Sequence, residues 1–443
     1  MMAREIALKA LGAYRREDAR LDRALGDLFT KHNISRREAA LATQITGGVM
    51  QNMALCDYYA AKYSSVELKK IEPRVLDILR ISIYQIIFLT KIPGSAAVNE
   101  GVKLARKSAN PRAAGFVNAI LRKITAAAED NALPEITGEP EHLLSVQYSH
   151  PEWLVHELCT ILGAQDAEKL LIKHNEIGVP VTAQVNTLNT DTCSVLRELE
   201  AGGVDAARHE WLEDCVELRG SGAIERLDAF RKGRIYIQDA ASRLAIIAAD
   251  PKPGDFVIDG CAAPGGKSFA AAVAMKNTGK IAAFDVSGKK LRHITDGAAR
   301  LGINIISAEE KDAGSAAGVL TGKADAVIAD VPCSGFGVIR KKPEIRYKTP
   351  GDITGLPDIQ KSILAALAAC VKPGGIILYS TCTVFSRENE DVVKWFVDSN
   401  SGFFAEGFTL PGIGSVPDGM ITLWPHIHKT DGFFIAKLRR GLA

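Results

Sequence analysis

The sequence predicts a multidomain protein, with an all-helical bundle first, a small α+β module next and a doubly wound α/β domain last. Three patterns predict this order: helical spacing of apolar residues up to about residue 126, mixed short patterns up to 236, and strand-like segments alternating with helical ones from 254 onward. The predicted domains span residues 1–130, 140–236 and 237–443. A chain of 443 residues is long enough to bury more than one hydrophobic core.

The first domain is predicted to be a bundle of helices. Apolar residues in "REIALKALG" recur at helical spacing. The stretch from Pro73 to about Leu89 is apolar nearly all round, which is typical of a helix at the centre of a bundle, and Pro73 suits its first turn. Ser95 is predicted to cap the next helix, and Pro111 to begin the last one.

The middle region has mixed patterns. "EDNALPEITGEPEH" collects acidic residues, Gly and Pro, which is typical of a linker. Beyond it, "PEWLVHELCTILG" is helical, whereas "VPVTAQVNTL" and "GRIYIQ" are extended. These alternating segments predict a small α+β module.

Charge is distributed unevenly along the chain. Residues 1–130 carry 21 Lys/Arg against 13 Asp/Glu, a net charge of +8, while the remainder has a net charge of −6. A basic helical domain on a mildly acidic remainder favours an anionic partner for the first part. The alternative is an ordinary solvated helical surface.

Cysteine usage and hydropathy indicate a cytoplasmic protein. Eight cysteines without a CxxC or a regular spacing predict free thiols in a reducing compartment, and no Cys/His cluster has the spacing of zinc ligands. The N-terminal "MMAREIALKALGAYRRED" is interrupted by charges and is not typical of a signal peptide. The most apolar segment, "RISIYQIIFLTK", has ten residues between its flanking charges, too few to span a bilayer. We therefore expect no metal and no membrane partner.

The third domain is predicted to contain a parallel sheet. Helical stretches separate five strand candidates, "DFVIDG", "KIAAFDV", "INIISAE", "ADAVIAD" and "GGIILYST". This alternation is the signature of βαβ units whose sheet is covered on both faces. Ligands of such sheets bind beyond the carboxyl ends of the strands, so the residues there are the candidate site.

The first strand leads into the loop "DGCAAPGGKS", which ends in Gly-Lys-Ser as a P-loop does. A P-loop would need its first glycine at the position of Cys261, and Gly260 lies one residue too far away. The nucleoside triphosphate interpretation therefore fails. Gly265 and Gly266 still allow a close approach of the backbone to a ligand that a Cβ would block.

Acidic residues follow four of the strands: Asp259, Asp285, Asp312 and Asp330. Asp285, 26 residues after Asp259, is where a doubly wound fold binds ribose hydroxyls. One lysine among several acids suits an adenosine ligand with little phosphate, and S-adenosylmethionine (AdoMet) fits better than ATP or NAD. As an alternative, an Asp at a strand end can simply cap the next helix.

Two cysteines follow the fourth and fifth strands, Cys333 in "DVPCSG" and Cys382 in "YSTCTV". Free cysteines are often buried and inert. Two thiols at the edge that carries the cofactor loop instead indicate an enzyme acting on cytosine C5, because a thiolate must add at C6 before C5 can attack a methyl donor. Spacing alone does not say which cysteine is the nucleophile.

The ordered motifs "DGCAAPGGKS", "FDVS…KL…RLG", "KDA", "DVPCSGFGVIRKKPEI", "YSTCTVFSRENE" and "PHIHKTDGFFIAKL" resemble RNA cytosine-C5 methyltransferases. "AAVNEGVKLAR…GFVNAILRKI" resembles the RNA-binding antitermination factor NusB, and "SHPEWLV", "VNTL" and "IQDAAS" match the middle region of the Sun/Fmu family. Nearly the whole chain thus resembles that family, the bacterial 16S rRNA (cytosine-C5)-methyltransferase B group. The resemblance implies a NusB-like RNA-binding bundle, a middle RNA-recognition module and a Rossmann-like AdoMet-dependent methyltransferase domain.

The resemblance also implies roles for individual residues. Cys382 would be the nucleophile, and Cys333 would help to release the methylated product. Asp330 would lie near the methionine end of AdoMet or the target base, Asp285 would bind the ribose, and Asp312 would lie near the adenine. The loop that would wrap AdoMet consists of Cys261, Ala262, Ala263, Pro264, Gly265, Gly266 and Lys267.

A 16S rRNA with an accessible unpaired cytosine is the expected partner. Four basic residues beyond the "PCSG" motif are placed to hold its phosphates, or else form a solvated basic loop: Arg340, Lys341, Lys342 and Arg346. The motifs do not distinguish rRNA from tRNA. A DNA cytosine methyltransferase would use Cys333 as nucleophile without needing Cys382. A non-enzymatic RNA-binding antitermination factor would use the bundle alone.

Overall fold

The computed structural model describes residues 2–17, 21–315 and 318–442. The chain forms two compact units, one of residues 1–175 with 342–347 and the other of residues 176–341 with 348–443. No helix among the described residues is both long enough and apolar enough to cross a bilayer.

The described part of the first unit is helical. Residues 77–79 and 81–85 of its central helix are all buried, which confirms the prediction of a helix surrounded by others. The helices are α1 (Ala3–Glu17), α2 (Leu21–His32), α3 (Arg36–Gln51), α4 (Met53–Tyr63), α5 (Pro73–Phe88), α6 (Gly94–Ser108), α7 (Pro111–Glu129), α8 (Pro140–Tyr148), α9 (Glu152–Leu162) and α10 (Ala164–His174).

Of the two predicted helix starts, one is confirmed and one is wrong. Pro111 begins α7, and Asn110 caps it by accepting from the Ala113 N–H at 2.9 Å. Ser95 does not cap α6. That helix begins at Gly94, because the Pro93 carbonyl already accepts the first helical hydrogen bonds.

The second unit begins with a four-stranded antiparallel sheet in the order β2-β3-β1-β4, which confirms a small α+β fold. The helices α8–α10 that precede this sheet in the chain belong to the first unit. The elements here are β1 (Val181–Val185), α11 (Thr192–Ala201), β2 (Asp205–Arg208), β3 (Cys215–Arg219), α12 (Asp228–Arg231) and β4 (Ile235–Ile237).

The rest of this unit is built on an eight-stranded mixed sheet with the path β10-β14-β9-β8-β5-β6-β7, and β13 also pairs with β14. All five predicted strands are present, as β5 to β9. The elements are α13 (Ala240–Ala249), β5 (Phe256–Asp259), α14 (Gly266–Ala274), β6 (Lys280–Asp285), α15 (Gly288–Leu301), β7 (Ile306–Glu310), β8 (Ala324–Asp330), α16 (Leu356–Ala368), β9 (Val371–Thr381), α17 (Glu390–Ser399), β10 (Phe403–Ala405), β11 (Phe408–Leu410), β12 (Gly414–Val416), β13 (Met420–Leu423), α18 (Pro425–His428) and β14 (Phe433–Arg440).

Strand direction positions the candidate site. Strands β5 to β9 pair in parallel, whereas β14 runs antiparallel to β9. Val257 and Ile258 point to opposite faces of β5 and are fully buried in separate hydrophobic clusters, so both faces of the sheet are covered. The chain order reverses between β5 and β8, and ligands of such sheets bind beyond the carboxyl ends at that reversal.

Candidate active site

The loop after β5 turns sharply into α14. Gly265 has a φ of 110°, in the left-handed region that favours glycine, and a Cβ there would approach the Phe269 ring to 2.6 Å. The Ala262 N–H donates to the Phe284 carbonyl at 2.7 Å, which holds the loop against β6. Glycine is therefore required for the turn that the sequence singled out.

Buried polar atoms without a partner lie beside this loop. Asp259 is 1% exposed; its Oδ2 accepts from Ser268 Oγ at 2.6 Å, while its Oδ1 has no hydrogen-bond partner. Burial, reinforced by the charge of Asp330, raises the pKa of Asp259 to about 7. The buried amide of Gln238, which sequence reasoning missed, has no partner for either polar atom, and a Cβ at Gly266 would lie 3.5 Å from its Nε2.

Lys267 pairs with an acid at the end of β8. Its Nζ lies 2.8 Å from Asp330 Oδ2 and 4.9 Å from the centre of the Phe433 ring. Ser380 Oγ donates to Asp330 Oδ1 at 2.8 Å. The Lys267 side chain is 9% exposed and that of Asp330 is 32% exposed, so the carboxylate is the more accessible partner.

The remaining two acids differ in their surroundings. Asp285 is buried at the end of β6 and accepts from the N–H groups of Ser287 at 3.0 Å and Ala263 at 3.3 Å, so it supports the loop after β5. Asp312 is exposed after β7 and accepts from the Gly314 N–H at 2.9 Å.

Burial and the nearby acids raise the pKa of Cys261 well above its usual range, so this thiol stays protonated.

Cys333 and Cys382 are brought together from the loops after β8 and β9. Their Sγ atoms are 3.2 Å apart, and the Cys382 N–H donates to Cys333 Sγ at 3.3 Å. The hydrogen bond with Cys382, together with burial, raises the pKa of Cys333 well above its usual range. Cys333 is thus held as a neutral thiol that can donate to its neighbour.

Two further residues behind these cysteines, Glu388 and Asn389, are fully buried and were missed by sequence reasoning. Both lie in the "SRENE" segment shortly after Cys382. Charged and amide side chains are rarely buried without partners, but nothing in the sequence names those partners.

The expected phosphate contact of Arg346 is wrong. Arg346 lies in the first unit, fully buried, and donates to the carbonyls of Gln51 at 3.1 Å and Tyr148 at 3.2 Å and to Asn175 Oδ1 at 2.9 Å. Burial lowers its pKa to about 10. Internal acceptors occupy its Nη1 group, and full burial keeps the guanidinium out of reach of a phosphate.

The same expectation is wrong for Arg340 and Lys341. Arg340 is buried, and its Nη2 lies 3.5 Å from Asp431 Oδ1. Lys341 Nζ lies 2.5 Å from Asp239 Oδ2 and 2.8 Å from Asp431 Oδ2. Both cations are paired with acids of the second unit; Lys341 is nevertheless partly exposed, as is Lys342.

Family comparisons cover most of the chain. The family described as 16S rRNA methyltransferase RsmB/F matches residues 246–439, and the NusB family matches residues 1–126. The ferredoxin-like domain described as Methyltr_RsmF/B-like matches residues 150–225. These matches confirm the three-part fold class predicted from the sequence.

Individual proteins match over the full length. The chain is 36% identical to a probable ribosomal RNA small subunit methyltransferase B of Bacillus subtilis, covering 99% of this chain and 98% of that protein. A protein of the same name from Synechocystis is 32% identical, with 99% of each chain covered. The crystal structure of PH0851 has a TM-score of 0.80 and 29% identity, with 99% of each chain covered. The chain therefore belongs to the RsmB/F family of 16S rRNA methyltransferases, as the sequence motifs predicted.

Proposed function

We propose that the protein methylates C5 of a cytosine in 16S rRNA through a covalent bond between Cys382 and C6 of the base. The observation that carries this proposal is the 3.2 Å separation of the Cys382 and Cys333 sulfur atoms at the carboxyl edge of the sheet. C5 is too weak a nucleophile to attack a methyl donor until a thiolate has added at C6.

AdoMet fits the loop of residues 261–267. Asp259 Oδ1 and the Gln238 amide offer buried acceptors and a donor without protein partners near the start of α14. Asp285 ends the second strand, where ribose hydroxyls bind in doubly wound folds. The exposed Asp312 would contact the adenine. When bound, AdoMet supplies the methyl group.

The protein residues would perform the remaining chemistry. The cytosine is turned out of its stack so that C5 and C6 become accessible. Asp330 hydrogen-bonds the base, and the ion pair with Lys267 holds its carboxyl group in place. The Cys382 thiolate forms a bond to C6, and the electron pair displaced from the C5–C6 double bond makes C5 the nucleophile that takes the methyl group.

Release of the product requires the loss of two bonds. The C5–H bond breaks, its electron pair restores the C5–C6 double bond, and water takes up its proton. The S–C6 bond breaks at the same time, and Cys382 leaves as a thiolate. A neutral Cys333 thiol next to the leaving sulfur stabilises that charge.

The helical unit supplies a surface for the RNA backbone. A cleft of about 330 Å³ in this unit is lined by five basic side chains and by two acidic ones, Glu5 and Asp77. The basic ones are Lys9, Arg15, Arg16, Arg74 and Lys107. We place RNA phosphates in this cleft, since clustered Lys and Arg provide most of the affinity for nucleic acids.

The test uses tritiated AdoMet and, in separate reactions, protein-free 16S rRNA or tRNA. The enzymes are the wild type, Cys382→Ala, Cys333→Ala and, as a matched control, Cys193→Ala at an exposed thiol. We expect label at cytosine C5 with the wild type and the control, no label with Cys382→Ala, and a covalent protein–RNA adduct that accumulates with Cys333→Ala. Methylation by Cys382→Ala would refute the nucleophile assignment. Label found in tRNA but not in 16S rRNA would refute the proposal that 16S rRNA is the substrate.

A further inference from the structure

The carboxylate of Glu388 is hydrogen-bonded directly to Ser334 and, through Gln360, is linked to Pro332; these two residues flank Cys333. Its Oε1 accepts from Ser334 Oγ at 2.5 Å, and its Oε2 accepts from the Ser334 N–H at 2.8 Å. Gln360 Nε2 donates to Glu388 Oε2 and to the Pro332 carbonyl, at 3.0 Å each. A buried carboxylate is costly unless several donors satisfy it, and here all the donors lie around one loop.

The next residue, Asn389, makes the equivalent contacts around Cys382. Its Oδ1 accepts from Thr381 Oγ1 at 2.6 Å, and its Nδ2 donates to the Thr383 carbonyl at 3.2 Å. Thr381 and Thr383 flank Cys382 in the sequence. Asn389 is fully buried, so these contacts are shielded from water.

Further bonds join the two sets of contacts. The hydroxyls of Ser334 and Thr383 are 2.8 Å apart. The Tyr379 hydroxyl donates to the Glu388 carbonyl at 2.6 Å, which fixes the backbone between the two side chains. The distance between the two cysteine loops is therefore set through two consecutive residues.

We propose that the Glu388–Asn389 pair positions the two thiols for successive steps of the reaction, Glu388 holding Cys333 for product release and Asn389 holding Cys382 for attack on the base. The assignment of these steps rests on the proposed function. Neither residue touches the reacting atoms, so both are positioning residues.

The charged and titratable groups around Cys333 give this role a measurable signature. They are Cys382, Glu388, Tyr379, and Lys348, whose Nζ donates to the Ser334 carbonyl at 2.7 Å. The hydrogen bond with Cys382 and burial are the larger causes of the raised pKa of Cys333, and the negative charge of Glu388 raises this pKa further. Replacing Glu388 by Gln removes that charge, so Cys333 is expected to ionise at lower pH.

The first measurement follows alkylation of each cysteine by iodoacetamide in the free full-length protein, from pH 7 to 10, by mass spectrometry. We expect Glu388→Gln to alkylate Cys333 several-fold faster than the wild type at the same alkaline pH, since the thiolate is the reactive form. Asp391→Asn, the same change at an exposed acid in the first turn of α17, is the matched control and should leave the profile unchanged.

The second measurement is steady-state methylation of 16S rRNA, which gives kcat and KM, with detection of the covalent adduct. We expect Glu388→Gln and Glu388→Asp to lower kcat about tenfold with KM unchanged and to accumulate the adduct. Asn389→Ala is expected to lower kcat without any adduct. Glu388→Asp keeps the charge but shortens the side chain, so its alkylation profile should stay close to that of the wild type.

The outcomes separate this proposal from the proposed function. An alkylation profile of Glu388→Gln that matches Asp391→Asn would overturn the role of Glu388. An identical adduct yield from the Glu388 and Asn389 variants would overturn the division of labour. If Cys333→Ala accumulated no adduct, the covalent mechanism of the proposed function would fail, while the alkylation profiles would still test the coupling of Glu388 to Cys333.

Discussion

The ammonium group of Lys267 lies 2.8 Å from the carboxylate of Asp330, and this ion pair joins the loop after β5 to the end of β8. Ser380 holds the other carboxylate oxygen from β9. The charge of the loop lysine is therefore balanced within the site, which disfavours a polyphosphate ligand and suits a zwitterionic one.

Replacing Lys267 by Met is expected to lower the affinity for AdoMet at least about tenfold, or about 1.4 kcal/mol. The Asp330 carboxylate loses its counter-charge, and the loop loses its tie to β8. Isothermal titration calorimetry would measure the change. Lys252→Met, which removes an exposed pair with Asp250, is the control and should bind normally. Equal affinities for the two variants would contradict the prediction.

The carboxyl of Asp259 should make stability depend on pH. Its pKa is about 7 in the folded protein, against ~3.9 in an unfolded chain, so the proton it retains stabilises the fold fully below about pH 4, and this contribution is lost as the pH rises through 7. An asparagine side chain at this position is neutral at every pH, so its stability contribution does not depend on bound protons. The unfolding free energy of Asp259→Asn is expected to exceed that of the wild type by about 4 kcal/mol at pH 8 and by less at pH 5.

Thermal unfolding at pH 5, 6, 7 and 8 without ligands would measure this difference. Asp358→Asn, at an exposed acid, serves as the control. A difference between Asp259→Asn and the wild type that stays constant across this pH range would show that Asp259 is already ionised in the folded protein.

Arg346 is expected to matter for stability rather than for RNA binding. Arg346→Ala leaves buried carbonyl oxygens without donors and should destabilise the helical unit by about 3 kcal/mol, seen as a lower melting temperature. The exposed neighbour variant Lys342→Ala should melt like the wild type. Weaker rRNA binding by Arg346→Ala at an unchanged melting temperature would restore the phosphate role.

The basic cleft should set the salt dependence of rRNA binding. Lys9→Glu and Arg16→Glu reverse the charge of two exposed lining residues. Each is expected to weaken binding to 16S rRNA and to reduce the slope of log Kd against log salt by about 1. Filter binding at several salt concentrations would test this. Lys31→Glu, on the exposed surface of α2, is the control, and an equal effect there would exclude a specific role for the cleft.

The sequence by itself determined the fold class, all five strands of the parallel sheet, the glycine turn after β5 and the placing of two cysteines beyond the strand ends. Each of these features is local. Hydrophobic periodicity distinguishes helix from strand within about ten residues, and a motif such as "DGCAAPGGKS" is contiguous. Parallel pairing of β5, β8 and β9 then brings their carboxyl ends to one edge, so the strand-end residues could be anticipated as neighbours.

Only the tertiary structure decided which charges face a ligand and which are used internally. Arg346 donates to the carbonyl of Gln51, 295 residues away in the sequence, and Glu388 reaches Ser334 across 54 residues. A local sequence pattern does not indicate which distant residues will be in contact. A basic loop that is buried and a basic loop that binds phosphate therefore look the same in the sequence. The physical reason is that desolvation and hydrogen-bond satisfaction are properties of the packed environment, whereas periodicity and turn chemistry are properties of the chain.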